Sequence, residues 1–303
     1  METILVALAA GASILVIVVF RLYRIARAPD PGPIVEPRSA APPAWLYLLL
    51  AGMVIWLGQV VGALAVAVWL GAPGGGGGAG GAAGAQSDPD LRRIALASVG
   101  TYSGAALGFV CALALMPGLW SALGVRGSAR DILRDLARGV IGFVIVFPIL
   151  TAVGMLAAAA AHYLAPMFGV PPPSMLAHQT LALLAEPGTV APVWWWVCTL
   201  AVVFGAPIVE ETVYRGCLQG ALRRYVEHIT GRPITARWRW GVIVIVSLFF
   251  VLMHVPVVEW HALPTLLVLS LCFGAACERT GRLLVPITMH ALFNAANIGL
   301  AML

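Results

Sequence analysis

The chain of 303 residues is 61% hydrophobic and only 10% charged, whereas a soluble domain of this length carries roughly 25% charged residues. This composition excludes an ordinary soluble protein. It predicts an all-α, polytopic membrane bundle, because uncharged stretches of about 20 residues recur and each can cross an apolar layer of about 30 Å. The net charge of +5 does not indicate a nucleic-acid partner, since the charges fall in loops that set membrane topology.

The apolar stretches predict eight membrane-spanning helices. They cover residues 3–20, 45–70, 94–116, 139–161, 193–214, 240–260, 262–279 and 283–302. The first is predicted to be a retained helix rather than a signal peptide, because its arginines follow the apolar run instead of preceding it. A Gly-rich flexible linker at 71–91 is expected to separate two N-terminal helices (1–70) from a six-helix core (92–303).

The arginines predict the orientation of the bundle. With the N-terminus outside, 16 of the 18 arginines fall in cytoplasmic loops, and only Arg92 and Arg93 fall on the other side. Every basic residue is Arg, which suggests a bacterial coding bias and hence a bacterial inner membrane. In one cytoplasmic loop, residues 124–139 repeat Arg every four residues with Leu or Ile between them. This pattern predicts an amphipathic surface helix, with a plain solvated loop as the alternative.

A small set of polar side chains lies within the apolar stretches, where such groups are costly and therefore candidates for function. The set consists of Glu210, Glu211, Arg215, His254, His290 and Asn294. Glu211 and Arg215 are four residues apart, so they are expected to form an ion pair on one helix face. Glu210 points about 100° away and is left without that partner, which makes it available as a general base.

The two histidines are expected to meet Glu210 in a shared cavity. His290 and Asn294 are four residues apart on the last helix, and His254 follows Phe250 at the same spacing on the sixth. Such a set can activate a water molecule and stabilise an oxyanion, the two tasks of peptide hydrolysis. Helix rise places Glu210 and His290 roughly 6–10 Å from the cytoplasmic ends of their helices, but His254 roughly 20 Å. The first two depths favour a site that opens toward the cytoplasmic half of the membrane.

Three motifs on these helices resemble those of a known family. "EETVYR" (210–215), "FVLMH" (250–254) and "HALFN" (290–294) are similar, in this order, to the EExxxR, FxxxH and HxxxN motifs of the CPBP (Abi) family. Its members are CAAX-prenyl-protease-like and bacteriocin-processing intramembrane endopeptidases. The resemblance covers about 192–300. Each motif is weak alone, but three in order, each on an apolar helix, form a specific signal.

The resemblance implies hydrolysis of a peptide bond in a membrane-associated protein or peptide, with membrane lipid as the surroundings. Glu210 and His254 would activate the attacking water, while His290 and Asn294 would stabilise the oxyanion. Glu211 and Arg215 would have a supporting role. A hydrolase without an obligatory cofactor is favoured. If the enzyme depends on a metal, Zn²⁺ bound by Glu210, His254 and His290 is the alternative; the HExxH motif that would favour zinc is absent.

Two other functions stay open. A member of the same family can be a non-catalytic immunity or scaffold protein that binds a partner in the membrane without turnover. A transporter also places Glu and His within the membrane, although the polar residues here lie only in the last four predicted helices. Glu210→Gln would separate these classes, because it abolishes hydrolysis and should leave a scaffold intact.

Overall fold

The computed structural model describes residues 44–71, 87–116, 118–123, 128–169, 179–185 and 192–302. Within these ranges the chain is helical and contains no β-strand. The first predicted span (3–20), most of the Gly-rich linker and the first residues of the 124–139 segment lie outside the described residues.

Seven helices in the described part of the chain are long and apolar enough to cross a membrane. They are α1 (Ala44–Gly71), α2 (Ser87–Leu115), α3 (Ala129–Leu164), α4, α5 (Ala236–His254), α6 (Leu263–Thr280) and α7 (Leu284–Ala301). α4 is made of five consecutive segments, Pro192–Leu200, Ala201–Gly205, Ala206–Glu211, Thr212–Gln219 and Gly220–Thr230. Short helical segments lie at Leu119–Ala122, Ala165–Phe168, Gln179–Ala185 and Trp260–Ala262. The prediction of an all-α membrane bundle is confirmed, and each of these seven helices corresponds to one predicted span.

Three helices extend beyond their predicted ends. α2 begins at Ser87, so the last residues of the predicted linker are helical. α3 begins at Ala129, so residues 129–139 belong to the same helix as the following span, and neither a separate surface helix nor a solvated loop is present there. α4 continues to Thr230, well past the predicted end at 214. Hydropathy finds only the apolar part of such a helix, whereas Val226 in the amphipathic part of α4 is buried against α5.

α1 packs directly along α2 through glycines on both helices: Gly58 and Gly62 on α1, and Gly100, Gly104 and Gly108 on α2. A Cβ atom at Gly58 would collide with the carbonyl oxygen of Gly104. Small residues at such positions let two membrane helices approach closely. α1 also lies against α4, where a Cβ at Gly52 would be 2.9 Å from Cβ of Cys217. The helices on either side of the boundary predicted at 71–91 are therefore in contact with each other. α1 also packs against the helix that carries the two glutamates.

Ion pairs tie the helix ends together at one end of the bundle, which we call the arginine-rich end. There Glu278 of α6 pairs with Arg223 of α4 at 3.3 Å and with Arg239 of α5 at 3.6 Å. Asp135 of α3, which is 1% exposed, accepts a hydrogen bond of 2.6 Å from Nε of Arg282, in the turn between α6 and α7. These contacts fix the heights of α3 to α7 relative to one another. The prediction that this end faces the cytoplasm stays a prediction.

Candidate active site

α4 changes its helical pitch on either side of the two glutamates. Ala201–Gly205 and Thr212–Gln219 are π-helical, and the α-helical segment Ala206–Glu211 lies between them. Wide turns of this kind are rare and occur frequently at functional sites. The first lies directly before Pro207, whose ring would collide with a carbonyl of the preceding turn in a regular helix. The wider turn accommodates that ring.

The first π turn leaves one backbone carbonyl without its helical donor, and Asn294 of α7 bonds to it. The N–H of Ala206 donates to the carbonyl of Ala201, five residues earlier. In the same register the carbonyl of Val202 would need the N–H of Pro207, which proline lacks. Nδ2 of Asn294 donates to this carbonyl instead, at 2.8 Å. An amide nitrogen carries two N–H groups, so a second donor remains on Asn294.

A buried set of three ionisable groups joins α4 to α7. Arg215 Nη1 donates to Glu211 Oε1 at 3.0 Å, and His290 Nδ1 donates to the same oxygen at 2.9 Å. The side chains of Glu211 and Arg215 are 0% exposed, and that of His290 is 6% exposed. The predicted ion pair between Glu211 and Arg215 is therefore confirmed. Because a carboxylate paired with Arg only accepts hydrogen bonds, the proton of His290 is held on Nδ1, and Nε2 is the nitrogen left for other partners.

The second pair of the site is Glu210 with His254 of α5. Their facing atoms, Oε2 and Nε2, are 3.8 Å apart, and the side chains are 24% and 18% exposed. Oε2 of Glu210 is buried and has no hydrogen-bond partner among the described residues. His254 donates from Nδ1 to the carbonyl oxygen of Phe250 at 2.7 Å, so the neutral ring has its lone pair on Nε2. Two acceptors thus face each other, and a water molecule can donate one hydrogen bond to each.

The depth mismatch expected between Glu210 and His254 disappears because α4 is longer than predicted. Glu210 lies roughly 30 Å along α4 from Thr230, and His254 lies roughly 27 Å along α5 from Ala236. The two residues are therefore level in the hairpin of α4 and α5. Because the last part of α4 is amphipathic, distance along the helix does not measure depth in the membrane, and the expected depth of Glu210 stays a prediction.

Two observations bear on the alternative of a zinc site. Within the described ranges, no group of three or more His, Cys, Asp or Glu side chains is placed to hold a metal ion. Glu210 faces His254, whereas His290 is bonded through Nδ1 to Glu211. The alternative of Zn²⁺ bound by Glu210, His254 and His290 stays a prediction.

A comparison with known families identifies this part of the chain. Residues 192–296 match the family described as Type II CAAX prenyl endopeptidase Rce1-like. This segment is similar to the CAAX-protease family, and the match covers about a third of the chain. No curated protein and no solved structure matched the chain. The matched CAAX-protease segment runs from the start of α4 into α7 and contains all six polar side chains of the site. Together with the seven apolar helices, it makes the chain an integral membrane protein.

Some residues that contact the CAAX-protease site were not found from the sequence. Ser270 and Phe273 of α6 contact Arg215 and His290. Tyr102 of α2, outside the CAAX-protease segment, lies against the π turn, where its ring would be 2.8 Å from a Cβ at Gly205. The single serine within apolar α6 was the available signal for Ser270, because a hydroxyl in such a helix usually has a partner on another helix.

Proposed function

We propose that the chain is an intramembrane endopeptidase that hydrolyses a peptide bond in a membrane-associated protein or peptide. The observation that carries this proposal is the meeting of three helices at two pairs of side chains, Glu210 with His254 and Glu211 with His290. The CAAX-protease match over the same residues supports it, since that family acts on proteins in a lipid environment. The substrate class is a protein or peptide segment held at the membrane.

Attack by water is assigned to the partly exposed pair. A water molecule between Glu210 and His254 donates a hydrogen bond to each, which raises the electron density on its oxygen. The oxygen attacks the carbonyl carbon of the substrate, the proton passes to Glu210, and the carbonyl oxygen becomes an oxyanion. The exposure of this pair, against the sealed positions of Glu211 and Arg215, supports the division of roles.

Stabilisation of the oxyanion is assigned to His290 and Asn294. Because Nδ1–H of His290 already donates to Glu211, the ring can donate a second hydrogen bond from Nε2 only as an imidazolium. The second N–H of Asn294 is the other donor. The intermediate then collapses: the C–N bond breaks, the leaving amine takes the proton from Glu210, and the products are an amine and a carboxylic acid, which then gives up its proton to solvent.

We propose that this reaction needs no metal, because Glu210 and His254 pair with each other while His290 pairs with Glu211. We also propose that the arginine-rich end lies in the cytoplasm of a bacterial cell, with the site open toward the cytoplasmic half of the inner membrane. The exposed arginines at that end of the bundle support this orientation.

A cleavage assay on purified protein tests the proposal. A library of membrane-anchored peptides, with and without a prenylated C-terminal cysteine motif, would be incubated with wild type, Glu210→Gln and His290→Ala. We expect wild type to cleave some members, both variants to lose turnover, and a chelator to have no effect. Equal turnover in all three proteins would refute the mechanism, and loss with chelator alone would refute its metal independence. An immunity or scaffold function predicts no cleavage and a phenotype that survives Glu210→Gln.

A further inference from the structure

A hydroxyl group on α6 lies against the guanidinium of the site. Ser270 is 0% exposed and lies in the middle of this apolar helix. Nη2 of Arg215 donates to Oγ of Ser270 at 2.6 Å and to the carbonyl oxygen of Ser270 at 3.2 Å. None of the three sequence motifs lies on α6. This helix therefore contributes a polar contact to the site that the motifs do not include.

Ser270 is the far end of a continuous series of hydrogen bonds that leads to His290. Nη2 of Arg215 donates to the hydroxyl, and Nη1 of Arg215 donates to Oε1 of Glu211 at 3.0 Å. Nδ1 of His290 donates to the same oxygen at 2.9 Å. Every member of the series is buried. Because these four side chains are closed to water, no solvent molecule can replace a hydrogen bond that is lost when one of them moves. The movement of one side chain therefore displaces the next.

The other contacts of Arg215 do not fix its orientation. Its guanidinium carbon lies 4.9 Å from the ring centre of Phe250 and 5.3 Å from that of Phe273. The ring quadrupole attracts a cation that lies over an aromatic face. This attraction does not favour one rotation of the guanidinium in its own plane over another. The guanidinium can therefore turn in its own plane against these rings. Besides its bond to Glu211, Arg215 donates to the carbonyl oxygen of Ser270 at 3.2 Å and to the hydroxyl at 2.6 Å, and the shorter of these two bonds is the one that the side chain supplies.

We propose that Ser270 is a positioning residue of the endopeptidase, acting through Arg215 and Glu211 on the orientation of His290. This role rests on the proposed function. Groups that orient a metal-bound histidine from behind typically contribute about 10- to 100-fold to activity, and we take the lower figure for His290. Ser270→Ala is expected to lower kcat by about tenfold. KM should stay unchanged, because Ser270 is sealed from any substrate.

The test compares four proteins on one peptide that wild type cleaves. Ser270→Ala removes the hydroxyl, and Ser270→Thr keeps it. Ser247→Ala is the matched control, since Ser247 is also buried (1% exposed) but lies on α5. For each protein, kcat, KM and the melting temperature would be measured in the same detergent. We expect a tenfold lower kcat for Ser270→Ala at unchanged KM, recovery of most of kcat in Ser270→Thr, and wild-type kinetics in Ser247→Ala.

Other results would overturn the role of Ser270. One is a kcat of Ser270→Ala within twofold of wild type. Another is an equal loss of kcat and of melting temperature in Ser270→Ala and Ser247→Ala, which would mean that only packing was lost. Glu210→Gln is assayed beside them. If it cleaves as fast as wild type, the proposed function fails, and the role of Ser270 fails with it. If Glu210→Gln is inactive and Ser270→Ala is normal, only the role of Ser270 fails.

Discussion

Glu210 and Glu211 are neighbours in sequence, yet the same substitution should affect them in different ways. Glu211 is 0% exposed and accepts hydrogen bonds from Arg215 and His290. Glu211→Gln would leave the guanidinium of Arg215 buried without its counter-charge. Removal of one partner of a buried ion pair lowers the free energy of unfolding by about 3–5 kcal/mol. This is a large part of the roughly 5–15 kcal/mol that stabilises a typical protein.

Glu210→Gln should leave stability almost unchanged. The Glu210 side chain is 24% exposed, Nε2 of His254 lies 3.8 Å from its Oε2, and that buried oxygen has no hydrogen-bond partner among the described residues. A neutral amide of the same shape removes little that stabilises the fold, so the free energy of unfolding should change by less than about 1 kcal/mol. Turnover, in contrast, should be abolished, because the amide cannot take the proton of the attacking water.

Thermal unfolding followed with a thiol-reactive dye measures this difference. Cys198, Cys217 and Cys272 are buried and become reactive only when the helices separate, while exposed Cys111 gives a constant background. We expect a clearly lower unfolding midpoint for Glu211→Gln and a wild-type midpoint for Glu210→Gln. If the two variants had the same unfolding midpoint, whether both lowered or both unchanged, the assignment of Glu211 to stability and Glu210 to catalysis would be refuted.

Three further variants test the packing of α1 on α2, the role of Asn294 and the role of the π turn. Gly104→Ala should lower the melting temperature, since its Cβ would collide with backbone of α1, whereas Gly241→Ala, with nothing within 4 Å, should not; equal effects would contradict the close packing of α1 on α2. Asn294→Ala should lower kcat by about 100-fold or more as an oxyanion donor is lost, while Asn297→Ala, which removes a side chain that donates to Phe293 of its own helix, should keep wild-type kcat. Pro207→Ala restores a backbone donor for the carbonyl that Asn294 uses, so kcat should fall without a lower melting temperature; unchanged kcat would argue against this role of the π turn.

The local part of the site could be predicted from the sequence. The six polar side chains were visible because charges and amides are rare in apolar helices. The pairing of Glu211 with Arg215 followed from helical spacing alone. The glycines at 58 and 62, and at 100, 104 and 108, also have a spacing that indicates close helix packing, although it does not name the helix on the other side.

Contacts between helices could not be predicted in the same way. Nothing in the spacing of one helix shows that His290 bonds to Glu211 rather than to Glu210. The bond of Asn294 depends on a π register in α4, which changes a hydrogen-bond pattern and leaves no composition signal. The true end of α4 was missed because its last part is amphipathic, with Val226 buried against α5.

The central claim is that Glu210, with His254, activates a water molecule that cleaves a peptide bond. The most direct measurement is the rate of peptide cleavage by wild type and Glu210→Gln at equal melting temperature, with the products identified by mass spectrometry after reaction in ¹⁸O-labelled water. Wild type is expected to place one labelled oxygen in the new carboxylate, and Glu210→Gln is expected to form no product. Cleavage by Glu210→Gln at the wild-type rate, or a wild-type product without the label, would refute this role of Glu210.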